Sequence, residues 1–232
     1  MRWRTARQAD RVLVTQAGLA GMFRSDDSMP GEVLRAQDGV MEMAGVDVLL
    51  DPAFTMPAVP RAAAGVGWIR CMVPRFCEGH AHARRRALAE QVIAQIGRPS
   101  RSSSPTAALL EALGLAPGLE GDVAAVALAY QPHVPVPSEA DAAADRLVTA
   151  CGGRTEESAA RVCVLVQAHA AMLALITRLR AGDGAPAVPV TRRIAPDGRE
   201  ILVDLAAAPF GAGRHACPGQ ALALHPADAG HR

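Results

Sequence analysis

At 232 residues the chain can bury a large core, and the expectation is a single compact domain spanning 1–232. Hydrophobic residues make up 50% of it, yet no uninterrupted apolar run reaches bilayer-spanning length. The net charge of +1 argues against a general nucleic-acid binder despite Arg84-Arg85-Arg86. The expectation is therefore a protein with neither nucleic acid nor membrane as partner.

The N-terminus, MRWRTARQAD, is charged throughout and has no apolar segment of the secretory type. Five cysteines at 71, 77, 151, 163 and 217 are scattered and odd in number, which fits a reducing cytoplasm better than a disulfide framework. Aromatic residues are only 3%, so Ala, Val and Leu must fill the core. Residues 2–5 alternate like a strand, and Asp10 can cap a helix over 11–20 that Gly21 ends. Residues 24–70 carry Pro and Gly at intervals with little period. The next strong signal is 78–96, where Leu88, Val92, Ile93 and Ile96 form one helical face. His82 and Arg86 are spaced i, i+4 and project from one side of that helix. His80 and Arg84 share the spacing, so either pair fits.

Residues 98–105 read as a polar loop, followed by apolar helical pieces at 107–113 and 123–130. Pro132, Pro135 and Pro137 interrupt any helix there. Ser138 caps a segment over 139–150 that Gly152-Gly153 ends. Residues 155–180 form the longest helix, almost wholly apolar over 162–176, the pattern of a helix buried on all sides. Within it His169 stands as a lone titratable group, suited either to a satisfied core position or to acid–base work. After Pro186 and Pro189 a strand carries Arg192, and Asp197-Gly198 marks the turn of a hairpin.

The stretch PFGAGRHACPGQALA, 209–223, sets Cys217 behind a glycine-rich turn and in front of a short apolar segment. Glycines at 211, 213 and 219 permit close backbone approach, and a helix N-terminus favours a thiolate. Those are the requirements of a cysteinate ligand to heme iron. A glycine-rich turn around a structural free cysteine is the alternative, whereas zinc lacks the paired ligands it needs. Phe210-Gly211-x-Gly213-x-His215-x-Cys217-x-Gly219 resembles the heme-binding loop of the cytochromes P450.

That resemblance implies a reduced P450-like fold, mainly α with a small β-sheet, around heme b. It makes Cys217 the iron ligand and places Phe210 near the sulfur. His82, Arg86, Arg192 and His215 would meet the propionates. The 155–180 helix would cross the heme, with Gln167 to Met172 standing where the family has an acid and alcohols. Ala170 and Ala171 or Met172 replace that pair, leaving His169 as the distal acid–base group and Gln167 as a second candidate. Arg180-Ala-Gly-Asp183 stands where a Glu-x-x-Arg pair is usual, so whole helices are missing. The implied activity is a heme-thiolate oxidoreductase, a monooxygenase or peroxygenase acting on a small organic substrate with a redox partner or peroxide. The alternatives are dehydration or rearrangement at an N–O bond, and a non-catalytic binding module. Missing helices would uncover apolar surface, for which a homodimer is the expected cover.

Overall fold

The computed structural model describes residues 35–36, 39–40, 42–97, 104–182 and 186–224. Contacts divide the chain into Met1–Glu32 and Val33–Arg232, and everything described belongs to the second unit. The strand and helix expected over 2–20 lie outside the described residues.

The longest helix, α6 (Glu156–Ala181), contains neither Gly nor Pro. Its start is fixed by Thr155, whose hydroxyl accepts the Ser158 N–H at 3.1 Å, and by Glu156 and Glu157 in the first turn. Val162, Cys163, Val164, Leu165 and Val166 are all buried, enclosed by α2 (Gly79–Ile96) and α4 (Glu120–Ala129) with α1 (Gly65–Met72) and α3 (Pro105–Ala112). Within Glu156–Arg178 an 18-residue window reaches a mean hydropathy of 1.8, enough by length and composition to span a bilayer. The buried half is instead the centre of a helical bundle. Contrary to the expectation of burial on all sides, the second half is only half-covered, and Leu173 is exposed.

No periodicity announced α1. Its N-terminus is capped from α5 (Ser138–Ala150): Asp141 accepts the Val66 N–H at 2.9 Å and Asp145 the Gly65 N–H at 3.1 Å. Arg70 of α1 is buried and donates to the carbonyls of Ala129, Tyr130, Gln131 and Val134. Those carbonyls close α4 and the proline-rich turn after it, where Gln131 O also accepts the Val134 N–H at 3.0 Å. Ser138 opens α5 as its first residue rather than capping it, with the Pro137 carbonyl accepting from Ala140 and Asp141. Cations on α2 reach across to α6, where Glu156 accepts from Arg84 at 2.6 Å and Arg85 at 2.9 Å.

The sheet is small. The expected hairpin forms from β4 (Val190–Ile194) and β5 (Glu200–Asp204), with Gly198 at φ +85° in its turn. Strand β3 (Glu42–Ala44) lies parallel to β5, giving the order β3-β5-β4. A separate two-residue ladder joins β1 (Arg35–Ala36) and β2 (Gly39–Val40). Ile201, Val203, Leu205 and Ala195 close a second, smaller core with Leu49. The short α7 (Gln220–Leu224) follows the cysteine loop, and Leu222 packs on the main core.

Candidate heme-thiolate site

The loop before α7 is held by backbone bonds: Cys217 N–H donates to Phe210 O at 2.7 Å and Gly211 N–H to Ala208 O at 2.8 Å. Gly211 and Gly213 adopt φ of +71° and +64°. A Cβ on Gly213 would stand 2.5 Å from the Leu49 carbonyl oxygen, so the chain passes there only as glycine. At Gly219 a Cβ would sit 3.8 Å from Cys217 Sγ, which is ordinary contact distance. Cys217 itself is exposed.

Helix α2 brings its polar face to this loop. The His82 and His215 rings lie 4.2 Å apart between centroids, and Arg86 donates to the Ala216 carbonyl. Arg86 also pairs with Glu90 at 2.6 Å. His82 is buried, whereas His80 is exposed and Arg84 is engaged with Glu156, so His82 and Arg86 are the pair that lies at the cysteine loop.

Glu78 binds the neighbouring donors: His215 Nε2 at 3.1 Å, Arg214 Nε at 2.8 Å and the Met56 N–H at 2.9 Å. Burial pushes its carboxyl up, but the bonds from Arg214, Met56 and His215 outweigh it and hold it at about 2. Burial lowers His215 to about 4 against the pull of Glu78, and burial also lowers His82.

Arg192 and Arg193 part company on β4. Arg192 pairs with Glu200 at 2.5 Å, while Arg193 is buried opposite Ile201. Burial, with Arg75 and Arg214 nearby, depresses its guanidinium to about 10 despite Glu78. Arg75 Nε is buried with no hydrogen-bond partner. Strand alternation alone separates 192 from 193, but it does not say which of the two turns inward.

On α6 the two candidates face apart. Gln167 Nε2 donates to Cys163 Sγ at 2.7 Å. His169 Nδ1 lies 2.8 Å from the Thr106 hydroxyl at the start of α3, and burial lowers its pKa. Two residues on a helix are about 160° apart around the axis. Among the described residues no group of three or more His, Cys, Asp or Glu could hold a metal ion.

No family model matches the chain, and no curated protein matches it in sequence. Solved structures do, among them P450BioI in complex with hexadec-9Z-enoic acid ligated acyl carrier protein, with a TM-score of 0.53 and 14% identity. The match covers 77% of this chain and 79% of that one. The chain has a P450-like fold. The likeness concerns the fold alone.

Proposed function

We propose that this P450-like chain is a heme-thiolate oxidoreductase in which Cys217 would hold the iron of heme b. The observation that carries the reading is the convergence of His82, Arg86 and His215 on the loop that presents Cys217.

The residues present fit a porphyrin. Arg193, Arg214, His82 and His215 lie near one acid, Glu78, while Arg75 lies near Arg193 and, among the described residues, its Nε has no partner. Guanidinium and imidazole donors in excess of the one carboxylate suit a ligand with carboxylates at its edge. Gly213 keeps the turn close to Leu49, and Gly219 leaves the sulfur room. Bound here, heme supplies thiolate-supported oxygen-transfer chemistry. The chain's own part is to hold the iron through Cys217 and the carboxylate edge through His82, Arg86 and His215. Arg193 takes the place first given to Arg192, which is engaged by Glu200.

His169 has no step in this reading, because Thr106 holds its ring toward α3. Ala170 and Ala171 offer no proton donor beyond Cβ. Peroxide-driven oxygenation of a small organic substrate is accordingly preferred to a route through a reductase and dioxygen, because peroxide arrives already reduced. P450BioI is complexed with an acyl carrier protein, which extends the substrate class here to molecules carried on a protein. The half-covered second half of α6 supports a homodimer.

The test is the absorption spectrum of protein incubated with hemin. The reduced carbon-monoxide form shows the thiolate-heme Soret band, and Cys217→Ala abolishes it. A protein that stays colourless with hemin refutes the reading.

A further inference from the structure

We infer that His169 and Thr106, with Glu120 and Ser104 beside them, form an acid-released clasp that fastens the first turn of α3 to α6. A neutral imidazole holds the turn closed, and uptake of a proton by the ring sets it free.

The clasp joins three elements. Thr106 Oγ1, in the first turn of α3, lies 2.8 Å from His169 Nδ1 on α6. Ser104, the residue before α3, accepts the Ala107 N–H at 3.3 Å, and its hydroxyl donates to Glu120, the first residue of α4. Thr106 is 4% exposed, so its hydroxyl depends on partners inside the protein. His169 stands just beyond 162–166, where the buried part of α6 gives way to the half-covered part. Leu109 and Leu110 anchor the rest of α3 in the core, which leaves the first turn as the segment the clasp governs.

A neutral imidazole has one N–H and one bare nitrogen, so Nδ1 and the hydroxyl can bond in either direction. An imidazolium carries an N–H on both nitrogens, and Nδ1 can no longer accept from Thr106. Its charge is also costly against the packed start of α3. Burial accordingly lowers the His169 pKa below its ordinary 6.5, with the attraction of Glu120 opposing it. The closed turn therefore binds fewer protons than the open one, and its stability falls as pH drops below 6.5. The charges on the surrounding helices are otherwise directed elsewhere. Arg70 of α1 serves the end of α4, Asp122 of α4 pairs with Arg146, and Glu111 of α3 is exposed. On α2, Arg84 and Arg85 meet Glu156 at the start of α6, and Arg86 meets Glu90.

The experiment follows amide hydrogen exchange of the full chain by NMR at about pH 7.5 and about pH 5.5, corrected for the intrinsic pH dependence of exchange. The reporters are the Ala107 and Ala108 amides, which bond to the Ser104 hydroxyl oxygen and carbonyl, and α5 is the reference for global opening. Relative to α5, protection of the two reporters should fall several-fold at the lower pH, with about ten-fold the ceiling for one group titrated a unit below its ordinary value. His169→Asn keeps a hydrogen-bonding amide near the place of Nδ1 but does not titrate, and should remove the fall. Glu120→Gln keeps an acceptor for Ser104 and loses the charge, so the fall should move to lower pH. The inference is overturned if the reporters fall no more than α5, if the fall persists in His169→Asn, or if Glu120→Gln leaves it in place or moves it to higher pH. Heme uptake plays no part in this readout.

Discussion

Glu78 Oε1 and His215 Nε2 lie 3.1 Å apart, joining the first residue before α2 to the turn that precedes Cys217. The pair spans 137 positions in sequence and draws in Arg214 on the same carboxylate. With the Arg86 bond to the Ala216 carbonyl and the His82–His215 ring contact, it holds the cysteine loop against the bundle.

Its pH dependence follows from two depressed values. Glu78 titrates at about 2 when folded against an ordinary 4.5, so the folded state binds fewer protons than the unfolded chain. Its contribution is complete above 4.5 and is lost as pH falls through 2. His215, at about 4 against an ordinary 6.5, loses its contribution as pH falls from 6.5 through 4. Thermal melts from about pH 7 to about pH 3 should fall in two stages. Glu78→Gln should flatten the lower stage and cost at most about 3 kcal/mol near neutrality. A melting temperature level across this range contradicts the argument.

Arg70 carries the end of α4. Replacing it with Met keeps much of its volume but removes the guanidinium donor from the carbonyls of Ala129, Tyr130 and Val134, and from Gln131, which keeps the Val134 N–H. The expected loss is about 3 kcal/mol or more in denaturant titration, since bonds to a charged donor are the strong ones and buried carbonyls are costly to strand. Arg84→Met, whose guanidinium pairs at the surface, should leave the denaturant midpoint nearly unchanged.

The glycines of the cysteine loop should differ sharply. Gly213→Ala drives a Cβ into the Leu49 carbonyl and strains a left-handed backbone, so the loop must move. Hemin binding and the reactivity of Cys217 toward a thiol reagent should both change. Gly219→Ala meets only ordinary contacts and should leave both within about two-fold of the unaltered chain. Equal behaviour of the two variants contradicts the close approach at Leu49.

The Thr106–His169 bond fastens α3 to α6. A double-mutant cycle with Thr106→Val and His169→Phe should return a coupling of about 1 kcal/mol in stability. Peroxide-driven turnover should survive His169→Ala in soluble protein. Loss of turnover without loss of stability would restore the acid–base role to His169.

Much of the architecture was legible in one dimension because its causes are local. Thr155 and the run after it specify α6, Asp197-Gly198 specifies the hairpin turn, and the i, i+4 spacing puts His82 and Arg86 on one face. The glycine-framed cysteine is likewise a local pattern. Helix α1 was not legible, because its caps, Asp141 and Asp145, and the carbonyls that hold Arg70 come from distant segments. Only packing could decide which of two adjacent arginines turns inward, that Glu78 gathers Arg214 and His215, and that Gln167 and His169 look opposite ways. Periodicity gives a residue its angle around an element, but the neighbours that fill each side come from elsewhere in the chain.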